Sequence, residues 1–159
     1  MNENKLTSGA RIGYGKLITA AEALKSPFLL AVRLYWGWQF FQTGMGKLGD
    51  LATTTGFFKE LGIPFPAFNA AMAGTTECVG GLLLLIGLAS RLTAIPLIVT
   101  MIVAYLTADL EAVKSIFADA DKFVTAAPFL FLFASLIILI FGPGKFSMDH
   151  LLAKKFHRI

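Results

Sequence analysis

Three ionisable side chains interrupt stretches of the chain that are otherwise apolar. Arg33 and Lys47 begin and end the segment "RLYWGWQFFQTGMGK", and Glu77 lies within "AMAGTTECVGGLLLLIG". A single charge at the centre of a lipid bilayer costs at least about 2.5–3.5 kcal/mol, so such a residue needs a partner or a function. A cation opposite a carboxylate forms a charge-assisted hydrogen bond, and a carboxylate in a medium of low dielectric can exchange protons. The three residues therefore predict a polar site inside an apolar protein.

The spacing of these residues predicts how helices would position them. One helical face has members alternately four and three residues apart: Arg33, Gly37, Phe40, Gly44 and Lys47. A second face of the same kind consists of Ala70, Ala73, Glu77, Gly81 and Leu84. The small residues of both faces allow helix backbones to approach closely. We therefore predict that the two helices pack antiparallel and that Arg33 pairs with Glu77, at heights that differ by about 7 Å.

The predicted pair of Arg33 and Glu77 has two interpretations. It could only lock the helices together, or it could border a pocket for a small polar or quinone-like ligand. In the second interpretation Glu77 and Arg33 are the predicted catalytic residues, and Lys47, near the outer rim of the membrane, joins them in binding the ligand. Tyr35 and Trp36 are further candidates for ligand contact, although aromatic residues at such positions more often pack against neighbouring helices.

The composition of the chain is typical of a membrane protein. Of its 159 residues 56% are hydrophobic and only 15% are charged, too few to cover the surface of a soluble domain. The net charge of +4 is not concentrated on one face with interleaved aromatic residues, so no nucleic-acid partner is predicted. Cys78 is the single cysteine, and the two histidines, His150 and His157, lie in the C-terminal tail. We therefore expect no covalently bound cofactor, and no haem or metal ligands in the membrane.

Four apolar runs each have about the 17–25 residues with which a helix spans hydrocarbon. They cover residues 27–48, 67–88, 92–108 and 123–141. The predicted fold is all-α, a four-helix transmembrane bundle with short interfacial helices. Residues 1–26 are predicted to form a cytoplasmic N-terminal arm, interpreted as an interfacial amphipathic helix, and residues 142–159 to form a cytoplasmic basic tail.

The distribution of basic residues predicts the orientation of this bundle. Nine lysines and arginines lie in the arm, in the turn after the second run and in the tail, whereas three lie in the two loops on the other side. Cytoplasmic loops of membrane proteins carry the excess of Lys and Arg. We therefore expect a multi-pass protein of the cytoplasmic (inner) membrane with both termini in the cytoplasm.

Four motifs follow one another in an order and spacing that belong to a known family. They are the face from Arg33 to Lys47, "FFKELGIPFP" (Phe57–Pro66), "ECVGGLLLLIGLASR" (Glu77–Arg91) and "FGPGKFSMD" (Phe141–Asp149). With them the chain resembles the DoxX family of small four-helix bacterial membrane proteins. The resemblance extends over about residues 29–149, most of the chain.

The resemblance to the DoxX family carries further expectations. It implies a four-helix bundle in the cytoplasmic membrane and a distant likeness to the small subunit of thiosulfate:quinone oxidoreductase. It places Arg33, Lys47 and Glu77 at the recurring charged positions of the family. The closing motif of the family is matched by Gly142, Pro143, Gly144, Ser147 and Asp149. We interpret this motif as structural, with Asp149 capping the helix of the tail.

The predicted function is that of a component of a quinone-linked membrane oxidoreductase, with quinone or a small sulfur oxyanion in the polar pocket. Whether the chain is catalytic by itself stays open. One alternative is a non-enzymatic scaffold that docks a soluble or membrane redox or stress-response partner through its basic arms. A small-solute carrier is the least favoured alternative, because the sequence has no inverted repeat. The lipid bilayer is a predicted partner, and association into a homo-oligomer stays open.

Overall fold

The structure is a computed structural model and describes residues 3–156, with the side chains of residue 11 and residues 13–155. Residues 1, 2 and 157–159, which include His157 of the predicted tail, lie outside the described residues. Between residues 3 and 156 the chain forms helices and no strand, and this confirms the all-α class. The helices are α1 (Glu3–Gly49), α2 (Leu51–Glu60), α3 (Pro66–Ile86), α4 (Ser90–Thr107), α5 (Leu110–Lys114), α6 (Ala120–Thr125), α7 (Pro128–Phe141) and α8 (Met148–Phe156).

The first helix is longer than the sequence predicted. α1 has 47 residues and continues through Pro27, so the predicted arm and the first predicted span form one helix. The prediction placed a boundary there because the apolar run begins at Pro27, and a proline also often ends or bends a helix. The segment before it, "AAEALK" (Ala20–Lys25), consists of strong helix formers, and these favour continuation through the proline.

A tight turn joins α3 and α4. α3 ends at Gly87, which has the left-handed φ of +71° and donates its N–H to the carbonyl groups of Leu83 and Leu84. Only residues 87–89 separate the two helices. Glycine is favoured at this position because it adopts a positive φ without a steric penalty.

The fourth predicted span is divided. α6 ends at Thr125, Ala126 has an extended conformation, and Pro128 begins α7. Proline cannot donate the backbone hydrogen bond that a continuous helix needs, but it fits the first turn of a new helix. By length and composition α3 and α4 could each cross a membrane, whereas α7 is apolar but has 14 residues. The four-span arrangement therefore stays a prediction.

The bundle consists of two helix pairs. α1 packs chiefly against α3, and α4 packs chiefly against α7. The pairs meet in a core of six fully or almost fully buried residues: Phe40, Leu84, Ala94, Leu97, Met101 and Ile138. Near the α3–α4 turn, Gly80 allows Leu97 to lie directly against the backbone of α3. The two pairs are thus held together most closely at the end that carries this turn.

Glycines determine the register between α1 and α3. Gly37 faces the carbonyl oxygen of Gly81, and a Cβ placed on Gly44 would lie 2.7 Å from the carbonyl oxygen of Gly74 and 2.7 Å from the Cα atom of Cys78. No larger residue fits such close backbone contacts. The small-residue faces predicted from the sequence therefore do pack against each other, and the contacts place Gly87 beside Arg33.

Candidate functional site

The ion pair at the centre of the candidate site joins Lys47 of α1 to Glu77 of α3. The distance from Lys47 Nζ to Glu77 Oε2 is 2.5 Å. The side chain of Glu77 is 2% exposed and that of Lys47 is 30% exposed. A carboxylate this deeply buried needs a partner of opposite charge or hydrogen-bond donors. Lys47 supplies both.

The predicted pair of Arg33 and Glu77 is wrong. Because Gly44 faces Gly74 and Cys78, Glu77 lies at about the level of residue 43, and Arg33 lies ten residues earlier on α1. At about 1.5 Å per residue this separates the two levels by about 15 Å. The prediction measured depth from the ends of apolar runs, whereas the glycine contacts set the actual register. It placed Lys47 and Glu77 in one polar site but gave Glu77 the wrong partner.

A cavity of about 600 Å³ adjoins the Lys47–Glu77 pair. It lies between α1, α2, α3, α4 and the start of α7. Its polar lining residues are Thr43, Lys47, Asn69, Thr76, Glu77, Thr100, Thr107 and Asp109. Its other lining residues are apolar, among them Phe57, Phe58 and Leu61 in and after α2 and Phe131 in α7. The cavity therefore combines one buried ion pair with mostly apolar walls.

Three of the predicted site residues lie away from this cavity. Arg33, Tyr35 and Trp36 are not among its lining residues in the described part of the chain. Tyr35 is 59% exposed, and its ring meets the edge of Trp36. Trp36 in turn packs edge-on against Phe131, with ring centroids 5.1 Å apart. Trp36 thus packs against Phe131, a lining residue, without lining the cavity itself. Of the predicted site residues, Lys47 and Glu77 line the cavity.

The sequence analysis did not single out the hydroxyl and amide groups of the cavity. Thr43 lies one turn from Lys47 on α1, and Thr76 immediately precedes Glu77. Their proximity to the charged residues was a usable signal, because residues three or four apart share a helix face. Thr100 and Asn69 carry no comparable signal, since only the tertiary packing brings α4 and the start of α3 to the same cavity.

Arg33 lies in a second polar cluster at the opposite end of the α1–α3 contact. The residue is 1% exposed, and its Nη2 atom donates a hydrogen bond to the carbonyl oxygen of Phe146 at 2.5 Å. Among the described residues, its Nε and Nη1 atoms have no hydrogen-bond partner, and neither has Oγ of Ser90. The guanidinium lies against Gly87, where a Cβ atom would collide with it. A main-chain carbonyl therefore takes the place of the predicted carboxylate partner.

The closing motif docks onto this end of the bundle. The carboxylate of Asp149 accepts hydrogen bonds from the N–H groups of Ala89, at 2.6 Å, and Ser90, at 2.9 Å. Asp149 thus caps α4, and the prediction that it caps the tail helix is wrong. Ser147 takes that role, because its hydroxyl accepts a hydrogen bond from the N–H of His150 at the start of α8. A carboxylate at a helix N-terminus also interacts favourably with the helix dipole.

The described residues contain no cluster of three or more His, Cys, Asp or Glu side chains that could hold a metal ion. The chemistry that the described residues offer at the cavity is therefore that of one ammonium, two carboxylates, several hydroxyl groups and one amide. Such groups can orient a polar headgroup by hydrogen bonds and can transfer protons.

Comparison with known proteins identifies the relatives of the chain. The family model named DoxX matches residues 28–110. An uncharacterized membrane protein of Mycobacterium tuberculosis is 32% identical over 136 residues, which cover 81% of this chain and 83% of the relative. CatD of Bacillus subtilis, described as a candidate oxidoreductase, is 29% identical over 76% of this chain and 83% of its own length. An uncharacterized protein of Haemophilus influenzae is 26% identical over 79% of this chain and 83% of its own.

No solved structure is significantly similar to the chain. The family match covers more than half of the residues, and it includes Arg33, Lys47, Glu77 and the α3–α4 turn. The matched region thus contains both the ion pair and the glycine contacts that position it. The chain is a membrane protein and belongs to the DoxX family.

Proposed function

We propose that the chain is a component of a quinone-linked membrane oxidoreductase and that it holds a quinone headgroup beside the Lys47–Glu77 pair. The observation that carries this proposal is a buried ion pair that opens onto a cavity with mostly apolar walls. The relative from Bacillus subtilis, described as a candidate oxidoreductase, supports the reaction class. Arg33 is not assigned a catalytic role, because it lies about 15 Å from the level of Glu77.

The cavity fits a quinone headgroup in size and in chemistry. Its volume of about 600 Å³ lies within the range of small-molecule sites, which are mostly apolar with a few placed polar groups. The flat ring of a quinone suits the apolar walls, and its two carbonyl oxygens accept hydrogen bonds. Lys47 and the hydroxyl group of Thr76 are donors that line the cavity at the ion pair, whereas the hydroxyl group of Thr43 donates to the carbonyl oxygen of Phe40. Lys47 is therefore the residue proposed to orient the ring.

Glu77 is proposed to transfer protons at this site. When bound, a quinone supplies the capacity to take up two electrons and two protons. Glu77 is the lining carboxylate nearest the buried end of Lys47, and its side chain is almost completely excluded from solvent. A carboxyl group within hydrogen-bond reach of the reacting atom acts as a general acid or base. The ammonium of Lys47 holds this carboxylate in place while no ligand competes for it.

The membrane arrangement is part of the proposal. We place the end with the α3–α4 turn on the cytoplasmic side, because Lys25, Arg91 and Lys145 gather at this end of the bundle. The opposite end carries Asp50, Glu60 and Asp109, which end or flank helices there. α1, α3, α4 and the α6–α7 unit would then form the four spans of an inner-membrane protein with both termini in the cytoplasm.

The experiment compares quinone binding by purified protein in lipid nanodiscs. The test variants are Glu77→Gln and the double variant Lys47→Met/Glu77→Leu, which removes both charges together. The matched controls are Glu111→Gln and Lys59→Met, because both side chains are exposed on other helices and Glu111 forms an ion pair with Lys114, which is itself exposed. We expect the test variants to lose quinone binding by roughly tenfold or more, about 1.4 kcal/mol, and the controls to keep it.

Turnover is measured with thiosulfate or a comparable electron donor, both with the chain alone and with the products of neighbouring genes. Reduction of quinone that depends on Glu77 supports the proposed role. If the wild-type protein binds no quinone in either preparation, the proposal is wrong. If it binds quinone and Glu77→Gln reacts as fast as Glu111→Gln, the assignment of Glu77 as the proton-transfer group is wrong.

A second candidate function rests on the first part of α1. Residues 13–25 of this helix are all exposed, and they include the apolar side chains of Tyr14, Leu17 and Leu24. An exposed apolar face on a helix that extends past its bundle could dock a redox or stress-response partner. The test is deletion of residues 1–20 followed by co-purification, with the bundle monitored by its thermal stability. Unchanged partner recovery would speak against the scaffold function.

A further inference from the structure

The cavity beside Lys47 and Glu77 is not closed on all sides. Three lining side chains of α3 and α4 are also about half exposed on the outside of the bundle: Met72 at 52%, Val99 at 54% and Val103 at 45%. Phe57 of α2, at 50%, and the small residues Ala108 and Ala127 are exposed lining residues elsewhere around the cavity. A side chain that both lines a cavity and is exposed borders the opening of that cavity. Met72 lies on α3, and Val99 and Val103 lie on α4, so an opening lies between these two helices.

The pairing of the helices explains why this opening exists. α3 packs chiefly on α1 and α4 chiefly on α7, while α3 and α4 touch each other less extensively. Near their common turn, Gly80 and Leu97 are in direct contact. At the level of Met72 and Val103 no glycine draws the backbones together, and the gap between the two helix pairs contains the cavity.

The depth of the opening places it among lipid acyl chains. Met72 lies six residues from the start of α3, or about 9 Å, and Val103 lies four residues from the end of α4, or about 6 Å. Val99 lies about one turn deeper than Val103. All three bordering side chains are apolar. In the proposed membrane arrangement the aqueous end of the cavity lies at α2, where the aromatic side chains of Phe57 and Phe58 line it.

We propose that the ligand of this cavity is a lipid-soluble amphiphile that enters sideways from the bilayer between Met72 and the pair Val99 and Val103. Its hydrogen-bonding head lies beside Lys47 and Glu77, and its alkyl tail leaves through the same opening. This inference rests on the proposed function for the place of the headgroup. Entry through this opening selects a tailed quinone over a small sulfur oxyanion, because an anion that entered here would have to cross an apolar gap that faces hydrocarbon.

Two experiments in lipid nanodiscs test the opening. The first narrows it with Val103→Trp and measures the uptake of a radiolabelled, decyl-tailed quinone. The matched control is Ile102→Trp, since Ile102 is the neighbouring residue of α4, is 43% exposed and does not line the cavity. We expect Val103→Trp to slow quinone uptake roughly tenfold relative to the control. Entry of the quinone would then require α3 and α4 to move apart, and binding that requires a conformational change is slower.

The second experiment keeps the wild-type sequence and uses a quinone with a photoreactive group on the first carbons of its tail. Labelling of peptides that contain Met72 or residues 99–103 supports the opening. Labelling confined to Phe57 and Phe58 shows access from the aqueous side and overturns it. Equal uptake by Val103→Trp and Ile102→Trp overturns it as well, while quinone binding by the wild type then leaves the proposed function standing. If the wild type binds no quinone at all, the proposed function fails first.

Discussion

Two cations on one face of α1, the buried Arg33 and the partly buried Lys47, have very different surroundings. Lys47 faces a carboxylate, Glu77, and a cavity adjoins the pair. Arg33 lies fourteen residues earlier, about four turns and about 21 Å away. It faces the glycine that ends α3 and donates to the main-chain carbonyl of Phe146. The same face of α1 therefore borders a ligand-sized cavity at Lys47 and is tightly packed against other parts of the chain at Arg33.

The difference depends on how closely α4, of the α4–α7 pair, lies to α3 at each of the two residues. At the level of Arg33, the α3–α4 turn and the closing motif cover the helix ends, and Asp149 caps α4 across this junction. At the level of Lys47, α4 has moved away from α3 and leaves the cavity. A buried charge thus indicates a functional site only when its surroundings also provide space and a chemical partner. The charge alone did not distinguish these two residues.

The largest expected effect is a loss of stability on removal of Lys47, which should exceed the loss on removal of Glu77. Lys47→Met leaves the carboxylate of Glu77, 2% exposed, without its cation, and removal of one partner of a buried pair costs about 3–5 kcal/mol. Glu77→Leu should cost less, because Lys47 is 30% exposed and can extend toward the headgroups. The double variant Lys47→Met/Glu77→Leu should recover most of the loss. The measurement is the free energy of unfolding in bicelles for all four members of the cycle.

The control for this cycle is Lys59→Met, which removes an exposed lysine from α2 and should change the unfolding free energy by less than about 0.5 kcal/mol. If Lys47→Met is no more destabilising than Lys59→Met, the ion pair contributes nothing measurable. Lys47 would then resemble an ordinary interfacial lysine, and the contrast with Arg33 would disappear.

A smaller effect is expected at the closed end of the bundle. Gly87→Ala combines a positive φ of +71° with a Cβ that meets the guanidinium of Arg33. A non-glycine residue in the left-handed region costs about 1–3 kcal/mol, and displacement of Arg33 also weakens its bond to Phe146. We expect faster hydrogen exchange in the segment from Phe146 to α8. Quinone uptake at the cavity should stay within about twofold of wild type, since the cavity lies at the other end.

Gly46→Ala is the matched control for the glycine variant. In the described part of the chain nothing lies within 4 Å of a Cβ at this helical position, so alanine should stabilise α1 by about 0.5–1 kcal/mol. Gly87→Ala could leave hydrogen exchange from Phe146 to α8 unchanged and yet abolish quinone uptake. In that case the Arg33 end and the Lys47 end of the bundle are not independent. The closure would then control the site, and the comparison would have to be revised.

The sequence predicted the parts of this structure that depend on local patterns. α3 and α4 are apolar runs bounded by Pro66 and Gly87, so their bounds differ from the prediction by only one or two residues. α1 was predicted too short because hydropathy reads only its apolar part and gives no information on the helix before Pro27. The division before Pro128 was missed because a proline within an apolar run is compatible with a kink as well as a break.

Of the candidate site, the sequence predicted the two charged residues and not their pairing. Glu77 and Lys47 are visible in the sequence because a charge within an apolar run is costly. Which cation faces Glu77 depends on the register of two helices, and contacts such as that of Gly44 with Gly74 set it within one turn. The cavity itself results from the divergence of α3 and α4, a tertiary property that has no signature in either segment alone.

The smallest expected effect concerns α2, the helix that contributes Phe57 and Phe58 to the lining of the cavity. The N–H of Thr53 donates to the side chain of Asp50 at 3.1 Å, and this bond lowers the pKa of Asp50 below its ordinary value of about 3.8. Because the pKa is lower in the folded state, the cap stabilises α2 at neutral pH and is lost as the pH falls below 3.8 and through the folded value. Hydrogen exchange at the amide of Thr53, corrected for intrinsic rates, should therefore become faster in acid. Asp50→Asn keeps a neutral capping side chain and should remove this dependence on pH. If the amide of Thr53 is equally protected on both sides of this range in the wild type, packing of α2 against α3 and not the cap holds Phe57 and Phe58 over the cavity.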